Sequence, residues 1–195
     1  MSEEVSNAIS ASLKEAVDRM NLVLNDPETL KKLEIIAKEM TEVLKNGSKI
    51  LVCGNGGSLA EAMHFAEECT GRFRKEREPM AVLALSDSTA MSCIGNDFSF
   101  EEIFSRQVRA FGREGDMLFA LTTSGNSKNV ILALEEAKSL GMKSIGFLGR
   151  DGGLAAQLCD ESLIIPGTFP DRIQEVHLVA IHIITEAIEI LMAQA

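Results

Sequence analysis

Five short apolar runs recur along this chain, at residues 49–53, 80–85, 116–121, 143–148 and 162–165, each bounded by residues that break regular structure. Runs this short, with no polar alternation, suit strands buried on both faces, the condition of a parallel sheet covered by helices. Apolar residues at helical spacing fill the intervals, at 59–72, 88–94, 100–111, 129–140 and 154–158. Strands alternating with helices define an α/β fold, and the count predicts a five-stranded parallel sheet flanked by helices.

Two helical stretches, 10–24 and 27–44, come first. Asn25-Asp26-Pro27 supplies a start with proline just inside the second helix, and Asn46-Gly47 supplies its stop. Residues 1–47 are thus expected to form an N-terminal helical segment of a single domain spanning 1–195, a length that supports a sizeable core. A long helix closes the chain, from 171 to about 192. Its apolar residues, among them Ile173, Val176, Val179, Ile181, Ile183, Ile184, Ile188 and Ile190, occupy more than one stripe. A helix apolar on most sides is buried on most sides. One domain of this size offers little room for that, so the helix is expected to pack against other subunits.

The chain carries 19 Lys+Arg against 29 Asp+Glu, a net charge of −10. This acidity argues against non-specific nucleic-acid binding and against docking on anionic membranes. An anionic ligand would have to be held by local devices rather than by the overall field. The cysteines Cys53, Cys69, Cys93 and Cys159 include no C-x-x-C pair, and reduced thiols in a cytoplasmic protein are the simplest expectation. Residues 1–18 carry Glu3, Glu4 and Glu15 and lack the apolar core of a signal peptide. The ten uncharged residues 176–185 fall short of the roughly 20 a membrane span needs.

Two runs end in small polar turns that lead into helices: Gly54-Asn55-Gly56-Gly57-Ser58 and Thr122-Thr123-Ser124-Gly125-Asn126-Ser127. Ligands of open α/β sheets bind at the carboxyl ends of strands, where glycine admits close backbone approach and helix N-termini offer free N–H groups to anions. The hydroxyls of Thr122, Thr123, Ser124 and Ser127 add uncharged donors suited to a phosphate. Neither turn is a dinucleotide or Walker pattern, and each alone also reads as an ordinary capped turn. Gly149-Arg150-Asp151-Gly152-Gly153, after the fourth run, reads as a turn.

His64 and Glu68 lie four apart on the helix after the first turn, on one face. A histidine and a carboxylate so placed can share a divalent metal or act as an acid/base pair, although such pairs also decorate helices with no further role. On the last helix Gln174 and His182 are eight apart, an offset of about 80°. Glu175 faces that side as well, so spacing does not choose between Gln174 and Glu175. Satisfied core or interface hydrogen bonds would equally explain His182 and Gln174, and Asn96-Asp97 would serve as a loop cap.

Taken together, Cys53-Gly54-Asn55-Gly56-Gly57-Ser58, residues 62–73, Ile94-Gly95-Asn96-Asp97-Phe98, Phe104-Ser105-Arg106-Gln107, Thr123-Ser124-Gly125-Asn126-Ser127, residues 149–153 and residues 171–177 resemble the phosphoheptose isomerase family. The resemblance runs from about Lys49 to Ile190 and fits the N-terminal helices. It implies a sugar isomerase (SIS) fold that converts sedoheptulose 7-phosphate to D-glycero-D-manno-heptose 7-phosphate through an enediol, early in the supply of nucleotide-activated heptose for lipopolysaccharide. It further implies Glu68 and His182 as the acid/base pair. His64, Glu68, Gln174 and His182 become ligands of one zinc ion per subunit. Asn55, Gly56, Gly57, Glu68, Asn96, Asp97, Thr122, Thr123, Ser124, Ser127 and Gln174 become substrate contacts. The choice of Gln174 over Glu175 rests on the resemblance. Family members are homotetramers with sites between subunits. The chain departs from the family pattern at Thr122, where serine is expected, but a hydroxyl is kept. The competing reading is a non-catalytic SIS tetramer that grips a protein partner, as one replication-initiation factor does.

Overall fold

The computed structural model describes residues 2–194, so the first and last positions of the expected 1–195 domain lie outside the described residues. The elements run α1 (Glu3–Leu24), α2 (Pro27–Lys45), β1 (Ile50–Gly54), α3 (Gly57–Thr70), β2 (Val82–Ala84), α4 (Ser88–Asp97), a 3₁₀ turn (Phe100–Glu102), α5 (Ser105–Phe111), β3 (Met117–Thr122), α6 (Lys128–Ser139), β4 (Lys143–Gly149), α7 (Ala155–Leu158), β5 (Glu161–Ile165) and α8 (Pro170–Met192). All five expected strands are present in one parallel sheet of order β2-β1-β3-β4-β5.

Side chains alternate between the two faces of the sheet, as the pleat requires. Val52, Phe119, Phe147 and Ile165 pack with α2, α3 and α8. Leu51, Cys53, Leu118 and Ala120 pack with α5, α6 and α7. Phe65 of α3, Phe119 and Phe147 meet edge to face, with centroids 5.4 and 4.8 Å apart; such pairs contribute about 0.5–1.5 kcal/mol beyond the area they bury. This cluster holds α3 against the centre of the sheet.

Boundaries differ from the sequence reading where caps and burial decide. α1 starts at Glu3 rather than residue 10: Ser2 caps it, and Glu3 and Glu4 face the positive end of the helix dipole. The stretch 100–111 is two pieces, not one helix. A 3₁₀ turn ends at Glu102 and α5 begins at Ser105, with the fully buried Ile103 and Phe104 at the junction. The second run yields only three residues of strand, at the sheet edge.

One stripe of α8, including Ile173, Val176, Ile181, Ile184 and Ile188, is buried in this chain's own core. A second row, Val179, Ile183 and Ile190, stays 41–44% exposed. No helix among the described residues is long and apolar enough to cross a membrane.

Candidate functional site

The sheet order puts a topological switch point between β1 and β3. The chain leaves β1 toward β2 on one side, while β3 pairs on the other. Open α/β sheets bind ligands in the crevice outside such a point. The two polar turns seen in the sequence follow these two strands, so both open at that crevice.

In the first turn Gly56, at φ +55°, lets the backbone swing into α3, and the amides of Leu59 and Ala60 return to its carbonyl. Asn55 is fixed by a reciprocal amide pair with the buried Asn129 of α6, both bonds 2.8 Å. Asn129 is therefore the strut between the two turns. In the second turn the Thr122 hydroxyl lies 3.4 Å from that of Ser124 and 3.2 Å from that of Ser127. Gly125 sits at φ +66°, with the Gly152 carbonyl 2.1 Å from where a Cβ would stand. The Ala155 amide donates to the Gly125 carbonyl at 2.9 Å. The 149–153 turn, expected to be only a turn, thus buttresses the hydroxyl-rich loop.

α3 and α8 bring three of the four expected metal donors together. His64 Nε2 is 2.8 Å from His182 Nε2 and 3.4 Å from Glu68 Oε1, and all three ligand atoms lie within 4.8 Å of one another. This His/Glu/His group could hold a metal ion. The fit is chemical as well as spatial: two imidazole lone pairs and a carboxylate converge, a set that suits zinc. Gln174, the fourth expected donor, turns its amide toward the first loop. It donates to Ser58 Oγ at 3.4 Å and lies within 2.6 Å of where a Cβ on Gly57 would be. A Cβ at Gly57 would therefore displace the Gln174 amide.

Asn96 and Asp97 sit on the exposed C-terminal end of α4, with local contacts. The Asn96 amide donates to Asp97 at 2.8 Å and the Cys93 thiol at 3.4 Å, and these donors, Asn96 first, hold the Asp97 carboxyl below its usual range.

Sequence reasoning missed several residues. Glu61, one turn before His64, is buried with neither oxygen in a hydrogen bond. Burial pushes its pKa up to about 8, partly countered by the nearby Ser58 hydroxyl. His177 is buried with Nε2 3.3 Å from the Leu148 carbonyl, and burial lowers its pKa to about 4. Phe73 stacks on His182, centroids 5.7 Å apart and planes at 22°. Arg77 binds the end of α3. Periodicity carries no signal for Phe73 or Arg77, which lie between elements; Asn129 was hidden as one polar residue in a helix.

Residues 13–149 match the SIS domain family. The chain is 46% identical over 186 residues to the phosphoheptose isomerase of Fusobacterium nucleatum, covering 95% of each. It is 49% identical over 187 residues to that of Glaesserella parasuis, covering 95% of this chain and 97% of the other. Among solved structures, the phosphoheptose isomerase of Neisseria gonorrhoeae superposes with a TM-score of 0.89 at 39% identity, covering 95% of this chain and 98% of that one. That of Francisella tularensis superposes with a TM-score of 0.90 at 34% identity, covering 96% and 98%.

Proposed function

The chain belongs to the phosphoheptose isomerase family of SIS-domain proteins, and from that premise we propose that it interconverts sedoheptulose 7-phosphate and D-glycero-D-manno-heptose 7-phosphate, with Glu68 and His182 moving the proton. The observation that carries this reading is the convergence of Glu68, His64 and His182 across α3 and α8.

Converting ketose to aldose shifts one proton from C1 to C2 and another between the two oxygens, through an enediol. One group must take a carbon-bound proton while another manages a proton on oxygen. Glu68 is the base toward carbon and His182 its acid partner, with roles exchanged in reverse. The hydroxyls of Thr122, Thr123, Ser124 and Ser127 hold the phosphate, and this anchoring, remote from the reacting carbons, supplies orientation. Asn55, Gly56, Gly57, Asn96, Asp97 and Gln174 contact the sugar. His64, Glu68, Gln174 and His182 would hold one zinc ion per subunit; when bound, it polarises the carbonyl and stabilises negative charge on the enediolate oxygens.

The active assembly is a homotetramer with sites between subunits. The exposed row of α8 that flanks His182, Val179 and Ile183, supports this. Four free cysteines support a reducing compartment, and the proposed location is the cytoplasm.

The test is to incubate the zinc-loaded protein with sedoheptulose 7-phosphate in D₂O and follow the sugar by NMR. Aldose 7-phosphate carrying deuterium at C2 is expected. No conversion, with or without zinc, would overturn the reading.

A further inference from the structure

α3 ends with its last carbonyls exposed to loss of partners and with no basic residue in its final turn. The chain supplies what is missing from outside the helix. Arg77 donates through Nη2 to the Glu68 carbonyl at 2.7 Å and through Nη1 to the Cys69 carbonyl at 2.8 Å. Its Nε donates to Glu189 of α8 at 3.0 Å. The guanidinium thus caps the negative end of α3 and bonds it to α8 in one rigid plane. A lysine, a point donor on a flexible stem, cannot reproduce that fork. Glu189 is 4% exposed. Its other oxygen accepts the Arg74 amide at 3.3 Å, and the Arg74 side chain pairs with Glu186. Four residues before Arg77, the same loop stacks Phe73 on His182, ring planes at 22°.

We propose that residues 71–77 are a positioning strap for the acid/base pair: Arg77 fixes the backbone at Glu68 and the spacing of α3 from α8, and Phe73 fixes the plane of the His182 ring. Neither residue touches the reacting atoms. Both act on the groups that do. Glu68 and His182 come from different helices, and their aim depends on how those helices sit relative to each other. The strap is bonded to both, at the backbone of one acid/base residue and against the ring of the other. Misplacement of a catalytic group by about 1 Å costs on the order of a hundredfold in rate, so a device that sets this spacing has a catalytic consequence beyond stability.

The proposal rests on the isomerase reading and is tested so that the two can fail separately. In the full chain, Phe73→Leu, Phe73→Tyr and Arg77→Lys are compared with the parent for kcat, for KM, and for affinity toward Co²⁺ followed by visible absorption. Phe73→Leu and Arg77→Lys are each expected to weaken Co²⁺ binding and lower kcat about tenfold, the usual range for losing an outer partner of a ligand set, with KM within about twofold because the phosphate loop is untouched. Phe73→Tyr keeps the ring and is expected to restore both. Unchanged Co²⁺ affinity in folded Phe73→Leu, or a raised KM with kcat kept, would reduce the strap to scaffolding and overturn the proposal. Phe73→Leu leaves the buried charges paired, so it decides the matter if Arg77→Lys fails to fold. A parent that binds Co²⁺ without isomerising the sugar would sink the functional reading, while the Co²⁺ titrations still judge the strap. A parent that does neither would overturn both.

Discussion

The Nε2 atoms of His64 and His182 face each other at 2.8 Å, with Glu68 Oε1 3.4 Å from the first. Two neutral imidazoles can share such a contact only if one donates its proton, which ties both tautomers together. A divalent cation held by His64, His182 and Glu68 would take both lone pairs and engage the carboxylate. Zinc is therefore expected to raise the melting temperature of the metal-free protein. At a hundredfold excess over Kd the gain is about 2.7 kcal/mol, which for a chain of this size corresponds to roughly 5–10 °C by calorimetry. His64→Ala is expected to abolish the shift. A zinc-independent melting curve in the parent would remove the metal from the site.

Glu68→Gln keeps the shape of the side chain and removes its basicity. Its kcat is expected to fall by about 10²–10⁴, the range for losing a positioned proton-transfer group, with near-parental melting temperature. His182→Ala should fall as steeply. Near-normal turnover in both folded variants, measured by the NMR conversion, would take the pair out of the chemistry.

Gly125→Ala tests whether the 149–153 turn supports the hydroxyl loop. An added Cβ would meet the Gly152 carbonyl at 2.1 Å, and the residue sits at φ +66°. Both obstacles are backbone, so the loop must shift. A cost of order 1–3 kcal/mol is expected from the backbone conformation alone, together with a raised KM as Thr122, Ser124 and Ser127 part. A KM equal to the parent's would show that this loop does not hold the phosphate.

The buried Glu61 and His177 bend the pH dependence of stability in opposite directions. Glu61 titrates near 8 in the fold because burial disfavours its charge. Its contribution is fully present below the unfolded value of about 4.5 and is lost as pH rises toward 8, at about 1.4 kcal/mol per pH unit at most. His177, lowered to about 4 by burial, contributes stability that is present above its unfolded value near 6.5 and is lost as pH falls toward 4. Glu61→Gln should therefore stabilise the protein more at pH 8 than at pH 5. Urea unfolding at the two values checks this, and an equal effect at both would mean that Glu61 is ionised throughout.

The sheet was legible because burial on both faces writes itself as unbroken apolar runs, such as Leu51-Val52-Cys53 and Leu118-Phe119-Ala120. The turns after β1 and β3 were legible for a related reason: only glycine and small polar residues fit where a strand meets a helix at the crevice. Spacing put His64 with Glu68, since both lie on one helix, but said nothing of His182 meeting them, which is a contact between helices 118 residues apart in sequence. Arg77 and Asn129 stayed hidden for the same reason. Each acts by bridging elements, and a bridge has no period.

α8 carries the last test. Val179 and Ile183 bracket His182 and are 41% and 44% exposed in the single chain, and α1 presents a second apolar row, with Ile9, Leu13 and Val17 each more than half exposed. Exposed apolar rows on two neighbouring helices are what a subunit interface leaves when one chain stands alone. Sedimentation at micromolar concentration is expected to show a tetramer. Ile183→Asp places a charge in that interface, next to His182, and should yield smaller species with kcat/KM reduced along with assembly. A parent that sediments as a monomer with full activity would separate the site from any interface and leave α8's second row without this role.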